Sequence, residues 1–260
     1  MIPKIIHYCW FGKGKMPELA LKCIESWKKY CPDYKIIEWN ESNFDISSNA
    51  YVKEAYEAKK YAFVTDYVRL FAMYNYGGIY MDTDVLVLKN LDKYLIHEAF
   101  SGFENKEQIP TGIMASEKDQ KIIRELLSYY DTKHFVKKDG TYDMTTNVEI
   151  ITNMMKDRGF VPNNSFQTVE GFTFYPQNIF CPDHKKLNDK TYMRETATIH
   201  YFAGSWKSEE TRKRENSLWW KIIAVLGMRI SKIMKCLFGD KWVNFKNRIR
   251  DNLWGEKHDR

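Results

Sequence analysis

The sequence predicts an α/β protein in which a mostly parallel sheet is flanked by helices. Two observations in the first ninety residues indicate this class: short apolar strands alternate with longer helical patterns, and polar residues stand where strands end. Strands that alternate with helices pair in parallel, because each helix carries the chain back across the sheet. A ligand is therefore expected beyond the carboxyl ends of the strands.

The first part of the chain contains five predicted elements. In chain order they are a strand over residues 4–10, a helix over 17–30, a strand over 34–39, a helix over 51–76 and a strand over 79–81. Gly77 and Gly78 end the second helix, since glycine tolerates the left-handed conformation that follows a last helical turn. The third strand leads directly into Asp82.

The middle of the chain has a weaker pattern. Strands are predicted over residues 99–103 and 109–114, helices over 119–130 and 146–156, and a last short strand over 198–202.

From Leu218 the character of the sequence changes. Apolar residues recur every three or four positions and basic residues occupy the opposite face, so this segment is predicted to be an amphipathic basic helix. Residues 218–250 contain eight Lys/Arg and one acidic residue. The chain is thus expected to divide into a domain over residues 1–210 and a basic amphipathic helical tail over 211–260.

Composition and charge limit the function classes. The hydrophobic content of 44% suits a globular core, and the net charge of +6 is concentrated in the tail. The five cysteines contain no CxxC pair, which argues against a disulfide framework or a zinc cage and favours a reducing compartment. The chain start does not resemble a signal peptide. We therefore expect a cytoplasmic protein.

Asp82 and Asp84 are the strongest candidates for chemistry. In an extended segment, positions i and i+2 point the same way, so both carboxylates can face one ligand. Two adjacent carboxylates repel each other unless a cation lies between them, and a hard divalent ion prefers oxygen ligands. Such an ion would neutralise the charge that develops on a diphosphate leaving group.

Longer blocks of sequence resemble a known family. Residues 61–70 (YAFVTDYVRL) and 77–85 (GGIYMDTDV) resemble glycosyltransferase family 32, whose members carry a DxD motif. Residues 2–10 look like its first strand, and His200 with Ser205-Trp206 looks like its closing motif. The resemblance covers most of residues 1–207. Its distant members include the glucosyltransferase domains of large clostridial toxins.

The resemblance implies a GT-A-type, Rossmann-like fold and retaining sugar transfer from a nucleotide-sugar, usually with Mn²⁺ (or Mg²⁺). It implies that Asp84 binds the metal and that Asp82 bridges metal, ribose and sugar. Asp66 and Arg69 would contact the donor sugar and phosphates; positions i and i+3 share a helix face, and an Arg fork suits phosphate. Asn147 is a candidate sugar contact, at a point where the family pattern differs.

Further residues receive roles from the same resemblance. Trp10 looks like the aromatic that stacks on the base of the nucleotide. His200 would complete the metal shell, and Ser205 and Trp206 would belong to a loop that closes over the donor. Many members act in capsular or lipopolysaccharide assembly, so the expected acceptor is a glycan or a lipid-linked glycan.

Two other interpretations stay open at this stage. A metal-dependent nucleotidyltransferase would also pair carboxylates with a nucleotide, although Gly12 and Gly14 form no complete phosphate-loop motif. A basic binding module without catalysis would explain residues 218–250. The apolar stripe there favours an anionic membrane surface, at the inner face of the membrane, over nucleic acid, for which no motif is present.

Overall fold

The computed structural model of the protein describes residues 1–204. Within them, nine strands form a seven-stranded sheet and a separate two-stranded sheet. The strands are β1 (Ile5–Cys9), β2 (Lys35–Trp39), β3 (Gly78–Met81), β4 (Val85–Val87), β5 (Ala99–Gly102), β6 (Ile113–Ser116), β7 (Gln167–Val169), β8 (Phe172–Tyr175) and β9 (Thr198–His200). The helices are α1 (Glu18–Tyr30), α2 (Ala50–Glu57), α3 (Tyr61–Tyr76), α4 (Lys121–Ser128), α5 (Asn147–Lys156) and α6 (Gln177–Phe180). The predicted tail lies outside the described residues.

The order of the large sheet is β2-β1-β3-β6-β5-β8-β7. The β1/β2, β1/β3 and β5/β8 pairs are parallel, while β6 and β7 run opposite to the other five strands. The predicted α/β class with a mostly parallel sheet is therefore confirmed. The exceptions have a simple cause, because β5–β6 and β7–β8 are joined without a helix, and only antiparallel neighbours can be joined so directly.

The predicted helix over residues 51–76 is two helices. Lys59 adopts a left-handed conformation with φ 55°. The Lys60 N–H donates to the Ala55 carbonyl at 2.8 Å, which is the hydrogen bond that typically closes a helix end. A left-handed residue is usually Gly or Asn, so the lysine at this position carries no sequence signal of a helix end.

The strand predicted over residues 109–114 begins later, at Ile113, because the preceding residues form a loop whose Ile109 N–H bonds to Thr152 Oγ1. Three strands, β4, β7 and β8, were not predicted. They are three or four residues long, which is too short for an alternating pattern to be recognised.

Both faces of the large sheet are covered by apolar side chains. In β3, Ile79 and Met81 belong to one buried cluster with Trp27 of α1, whereas Tyr80 belongs to another with α2, α3, α4 and α5. Alternate residues of a strand point to opposite faces, so a strand buried on both sides is apolar throughout. Within residues 1–204, no helix is both long enough and apolar enough to cross a bilayer.

Candidate functional site

The candidate site lies at the carboxyl end of β3. The Asp82 N–H donates to the Gly112 carbonyl at 2.8 Å, and the Val85 N–H donates to the Asp82 carbonyl at 3.0 Å. The second bond closes a tight turn that keeps Asp82 and Asp84 together between β3 and β4. The turn fixes both carboxylates beside the loop that precedes β6.

His200 reaches these carboxylates through the two-stranded sheet, in which β9 pairs with β4 and Val85 lies opposite His200. Its Nε2 is 3.2 Å from Asp84 Oδ1 and 3.9 Å from Asp82 Oδ2. One potential ligand atom from each of the three residues lies within 4.8 Å of the others. The two carboxylates suit either Mn²⁺ or Mg²⁺, and the imidazole favours the transition metal Mn²⁺ over Mg²⁺.

Gly112 leaves the space that this cluster needs. A Cβ atom at this position would lie 2.6 Å from His200 Cε1 and 3.1 Å from Asp82 Oδ2. Any larger residue would displace the imidazole from the carboxylates. The donor chemistry and this close approach fit a small divalent cation.

His200 and Asp84 shift each other's pKa values. Burial lowers the pKa of His200, but the hydrogen bonds with Asp84 and Cys181 and the charges of Asp84 and Asp82 together outweigh it, so the pKa is raised well above the ordinary value of 6.5. Burial raises the pKa of Asp84, but His200 and the Ala203 N–H hold it below its usual range. Without a cation, the two side chains form an ion pair at neutral pH.

Arg69 lies beneath the carboxylates. Its Nη1 donates to the Thr111 carbonyl at 2.6 Å, and its Nη2 is 3.1 Å from Asp66 Oδ1 and 3.5 Å from Asp82 Oδ1. The guanidinium also lies 4.6 Å from the ring centre of Tyr80. Arg69 therefore joins α3, the turn after β3 and the loop before β6.

Asp66 lies one helical turn before Arg69 and is buried. The pKa of the Asp66 carboxyl is raised to about 6, mainly because the group is buried. The negative charge of Asp82 raises this pKa further, and the positive charge of Arg69 lowers it in part. The sequence-predicted pair is thus a buried ion pair and not a helix-surface one. Breaking such a pair costs far more than breaking an exposed one.

Asn147 begins α5 and is buried against Asp66. Its Nδ2 donates to the Asp66 carbonyl at 2.7 Å, its Oδ1 accepts from Tyr130 at 2.5 Å, and its backbone N–H points at Asp66 Oδ2 at 3.4 Å. Thr146 caps the helix. The structure places Asn147 behind Asp66, where it orients that residue.

Trp10 follows β1 at the same edge of the sheet. Its indole N–H donates to the Gly14 carbonyl at 2.7 Å, and the side chain is partly buried. Within residues 1–204, no hydrogen bond joins the Trp10 side chain to the carboxylates of Asp82 and Asp84. His7, at the middle of β1, is fully buried and bonds to the Gly77 carbonyl, as expected for a packed histidine.

The chain after β9 contacts the site directly. The Ala203 N–H donates to Asp84 Oδ2 at 2.7 Å, and the ring of Phe202 lies 4.1 Å from that of His200. Phe202 is exposed and has φ 52°, an unusual conformation for a bulky residue. Ser205 and Trp206, predicted to close over the donor, lie outside the described residues.

Several residues of the site were missed by the sequence analysis. Thr111 contributes a carbonyl group that accepts from Arg69, and Gly112 leaves room for His200. The only sequence feature that points to them is the Pro110-Thr-Gly break before β6. Tyr80 donates its hydroxyl hydrogen to Asp82 Oδ1 at 3.0 Å. Its position in an apolar strand indicates a core residue. In the structure Tyr80 belongs to a buried apolar cluster and also contacts the site through its hydroxyl group.

Comparison with known proteins connects this site to a family. Residues 17–101 match the family model described as "Glycosyltransferase sugar-binding region containing DXD motif". The matched region contains Asp66, Arg69, Asp82 and Asp84, and it ends before Asn147 and His200.

Curated relatives match over a longer stretch. Inositol phosphoceramide mannosyltransferase 3 of Schizosaccharomyces pombe is 29% identical over 142 residues, which is 52% of this chain and 40% of the relative. Mannosyl phosphorylinositol ceramide synthase CSH1 of Saccharomyces cerevisiae is 31% identical over 121 residues, 44% of this chain and 30% of the relative. The chain thus spans less than half the length of these relatives.

Solved structures show more distant similarity. The PaToxG glycosyltransferase has 21% identity and a TM-score of 0.41, with coverage of 49% of this chain and 59% of that one. A glycosyltransferase involved in the glycosylation of the major capsid of PBCV-1 has 13% identity and a TM-score of 0.45, with coverage of 81% and 97%.

Proposed function

Because the chain carries the glycosyltransferase sugar-binding region with the DXD motif, we propose that it transfers a sugar from a nucleotide-sugar to a hydroxyl group of an acceptor. One observation supports this most directly. Asp82, Asp84 and His200 converge at the carboxyl edge of the sheet, with the buried Arg69 beneath them. This is the arrangement that a cation and a diphosphate require.

Asp82, Asp84 and His200 would hold a divalent cation, which would neutralise the negative charge of the leaving diphosphate. Arg69 keeps the Asp82 carboxylate in place through its Nη2 and anchors the loop before β6 through its Nη1. The Arg69 charge also lowers the cost of keeping the buried Asp66 ionised. Arg69 and Asp66 would act by pre-organisation, since their buried ion pair holds both side chains in place before a donor binds.

Asp66 would face the donor sugar, with Asn147 behind it. A carboxylate accepts hydrogen bonds from sugar hydroxyls, and Asn147 holds the Asp66 backbone in position. Trp10 would stack on the base, and Ser205 and Trp206 would close over the donor and exclude water.

Finer details extend this proposal. The family 32 resemblance favours a retaining reaction, Mn²⁺, a UDP-sugar donor and an acceptor in capsule or lipopolysaccharide synthesis. The names of the yeast relatives favour GDP-mannose and an inositol-phosphate lipid acceptor instead. Both acceptor classes fit a peripheral enzyme whose tail, residues 211–260, binds an anionic membrane through its basic face over 218–250.

A donor screen tests the proposal. Thermal unfolding and donor hydrolysis would be measured with UDP-glucose, UDP-galactose, UDP-N-acetylhexosamines and GDP-mannose, each with and without Mn²⁺. We expect one donor to raise the melting temperature in the presence of Mn²⁺, because a ligand that binds only the folded state stabilises it. Hydrolysis should release a nucleoside diphosphate; pyrophosphate would indicate a nucleotidyltransferase.

Asp84→Asn is the matched test of the site. We expect loss of Mn²⁺-dependent hydrolysis by a factor of about 100 or more, as for other groups that stabilise a developing charge. Asp157→Asn, at an exposed position after α5, is the control and should behave as the wild type. A folded protein that binds none of these donors would refute the proposed function.

A further inference from the structure

Glu104 stands at the same edge of the sheet as the metal cluster. It comes two residues after β5, which runs in the direction of β3, so the carboxyl ends of both strands lie at one edge. Only β6 separates them, and β6 begins at this edge directly after Gly112. Across the edge, Trp10, Asp82, Gly112 and Glu104 therefore follow one another in the order β1, β3, β6 and β5.

The backbone of Glu104 is held on both sides. Its N–H donates to the Gln108 carbonyl at 2.9 Å, which closes the loop after β5. Its carbonyl accepts from Gln177 Nε2 at 2.7 Å, at the first residue of α6. These two hydrogen bonds fix the position of the Glu104 backbone, and therefore the point from which its side chain extends.

The Glu104 carboxyl has no partner among residues 1–204. It is partly buried, yet it makes no hydrogen bond or ion pair with any described residue. It interacts electrostatically with His200 and Asp82, and burial raises its pKa. A partly buried carboxylate that makes no hydrogen bond within the protein is free to accept one from a bound hydroxyl group.

Glu104 and Asp82 follow strands that lie two positions apart in the sheet, so their backbones are about 10 Å apart, since neighbouring strands lie about 4.8 Å from each other. Glu104 does not belong to the three side chains whose ligand atoms lie within 4.8 Å of one another. The carboxyl therefore does not join the cluster, although it interacts electrostatically with His200 and Asp82. A hydroxyl placed between them would lie next to the leaving diphosphate and could donate its hydrogen to Glu104.

We propose that Glu104 binds the hydroxyl group that attacks the donor sugar and accepts its proton. This inference rests on the proposed function. The bond between the hydroxyl oxygen and sugar carbon 1 forms, and the bond between carbon 1 and the phosphate oxygen breaks. The electron pair of the broken bond stays with the nucleoside diphosphate, and the proton passes to the Glu104 carboxylate, which returns it to water.

Water can serve as the attacking hydroxyl, so the test needs no identified acceptor. Hydrolysis of UDP-glucose, UDP-galactose and GDP-mannose would be measured with Mn²⁺ for the wild type, Glu104→Gln, Glu104→Asp and Glu107→Gln. Glu107 lies in the same loop, is exposed and serves as the matched control. Dissociation constants would be measured for each donor and for Mn²⁺ alone.

We expect Glu104→Gln to lower kcat for hydrolysis by a factor of about 100, the usual scale for loss of a proton acceptor. Donor and Mn²⁺ affinities should stay within twofold of the wild type. Glu104→Asp keeps the charge but shortens the side chain, so it should retain more activity than Glu104→Gln. If Glu104→Gln does not fold, the comparison of Glu104→Asp with the wild type serves as the test. Glu107→Gln should be unchanged.

Three results would overturn the inference while leaving the proposed function intact. They are an unchanged kcat in both Glu104 variants, a weakened affinity for Mn²⁺ alone, and a weakened donor affinity with normal kcat. The last two would assign Glu104 to the cation or to the donor sugar. Absence of hydrolysis and of donor binding in the wild type would instead refute both proposals.

Discussion

His200 Nε2 lies 3.2 Å from Asp84 Oδ1, and Val85, the residue after Asp84, pairs with His200 across the two-stranded sheet. The sheet register therefore sets the distance between imidazole and carboxylate. Because a strand pair is stiff, the two side chains stay close even without a cation. This relationship has a consequence for stability.

The metal-free protein should lose stability as the pH rises above the ordinary pKa of histidine. The pKa of His200 is raised in the folded state, so its contribution is fully present below about 6.5 and is lost as the pH rises through the folded value. Urea unfolding of the wild type and His200→Gln in EDTA, between pH 5.5 and 9, would measure this. The difference in unfolding free energy should shrink with increasing pH; a constant difference would contradict it.

Gly112→Ala should impair cation binding more than it impairs folding. The added Cβ would lie 2.6 Å from His200 Cε1, so the imidazole must shift away from the carboxylates. We expect at least a tenfold loss of Mn²⁺ affinity, measured by titration with the metal alone. Gly14→Ala is the control, because a Cβ there meets nothing within 4 Å. Equal Mn²⁺ affinity in the two variants would show that Gly112 provides no essential space.

The contribution of the Asp66 carboxyl to the unfolding free energy should decrease as the pH rises. Its pKa is raised from 3.8 to about 6, so the native state binds this proton more tightly than the unfolded state. Its contribution is therefore largest below about 3.8 and is lost as the pH rises through about 6. The total change is on the order of 3 kcal/mol.

Unfolding of the wild type and Asp66→Asn between pH 4.5 and 7.5 would test this. The stability of the wild type relative to the variant should decrease over that range. A difference that increases with pH would mean that Arg69 outweighs burial at this carboxyl.

Asn147→Ala should destabilise the protein and weaken donor binding. The substitution leaves the Tyr130 hydroxyl and the Asp66 carbonyl without their partner in a buried position. We expect a loss of about 1–3 kcal/mol in unfolding free energy. The control is Asn153→Ala, at an exposed position of the same helix, which should change stability by much less. Similar losses in both variants would exclude a special role for Asn147.

Trp10→Ala should raise KM for the donor with little change in kcat. Stacking of a base on an aromatic ring contributes about 1–3 kcal/mol, which corresponds to roughly a tenfold change or more in affinity. Trp10→Phe keeps an aromatic face and should retain most of the affinity. Competition by the free nucleoside diphosphate would be measured in parallel. If Trp10→Ala binds the nucleotide normally, the base is held elsewhere.

Much of the fold and part of the site could be predicted from local patterns. The order of β1, α1, β2 and β3 follows from alternating apolar periods, and it places Asp82 at a strand end. The break at Lys59 and the reversed direction of β6 could not be predicted. The first uses an unusual residue in a left-handed conformation, and the second depends on which strands become neighbours.

The sequence by itself determined the α/β class, the position of Asp82 and Asp84 directly after a strand, and the Asp66–Arg69 spacing on one helix face. Each of these depends on residues a few positions apart, whose geometry is set by the local backbone. The tertiary structure decided that His200 joins Asp84 and that Glu104, whose carboxyl has no partner within residues 1–204, lies at the same edge of the sheet. These contacts link strands far apart in the chain, and only the packing of the sheet brings them to one edge.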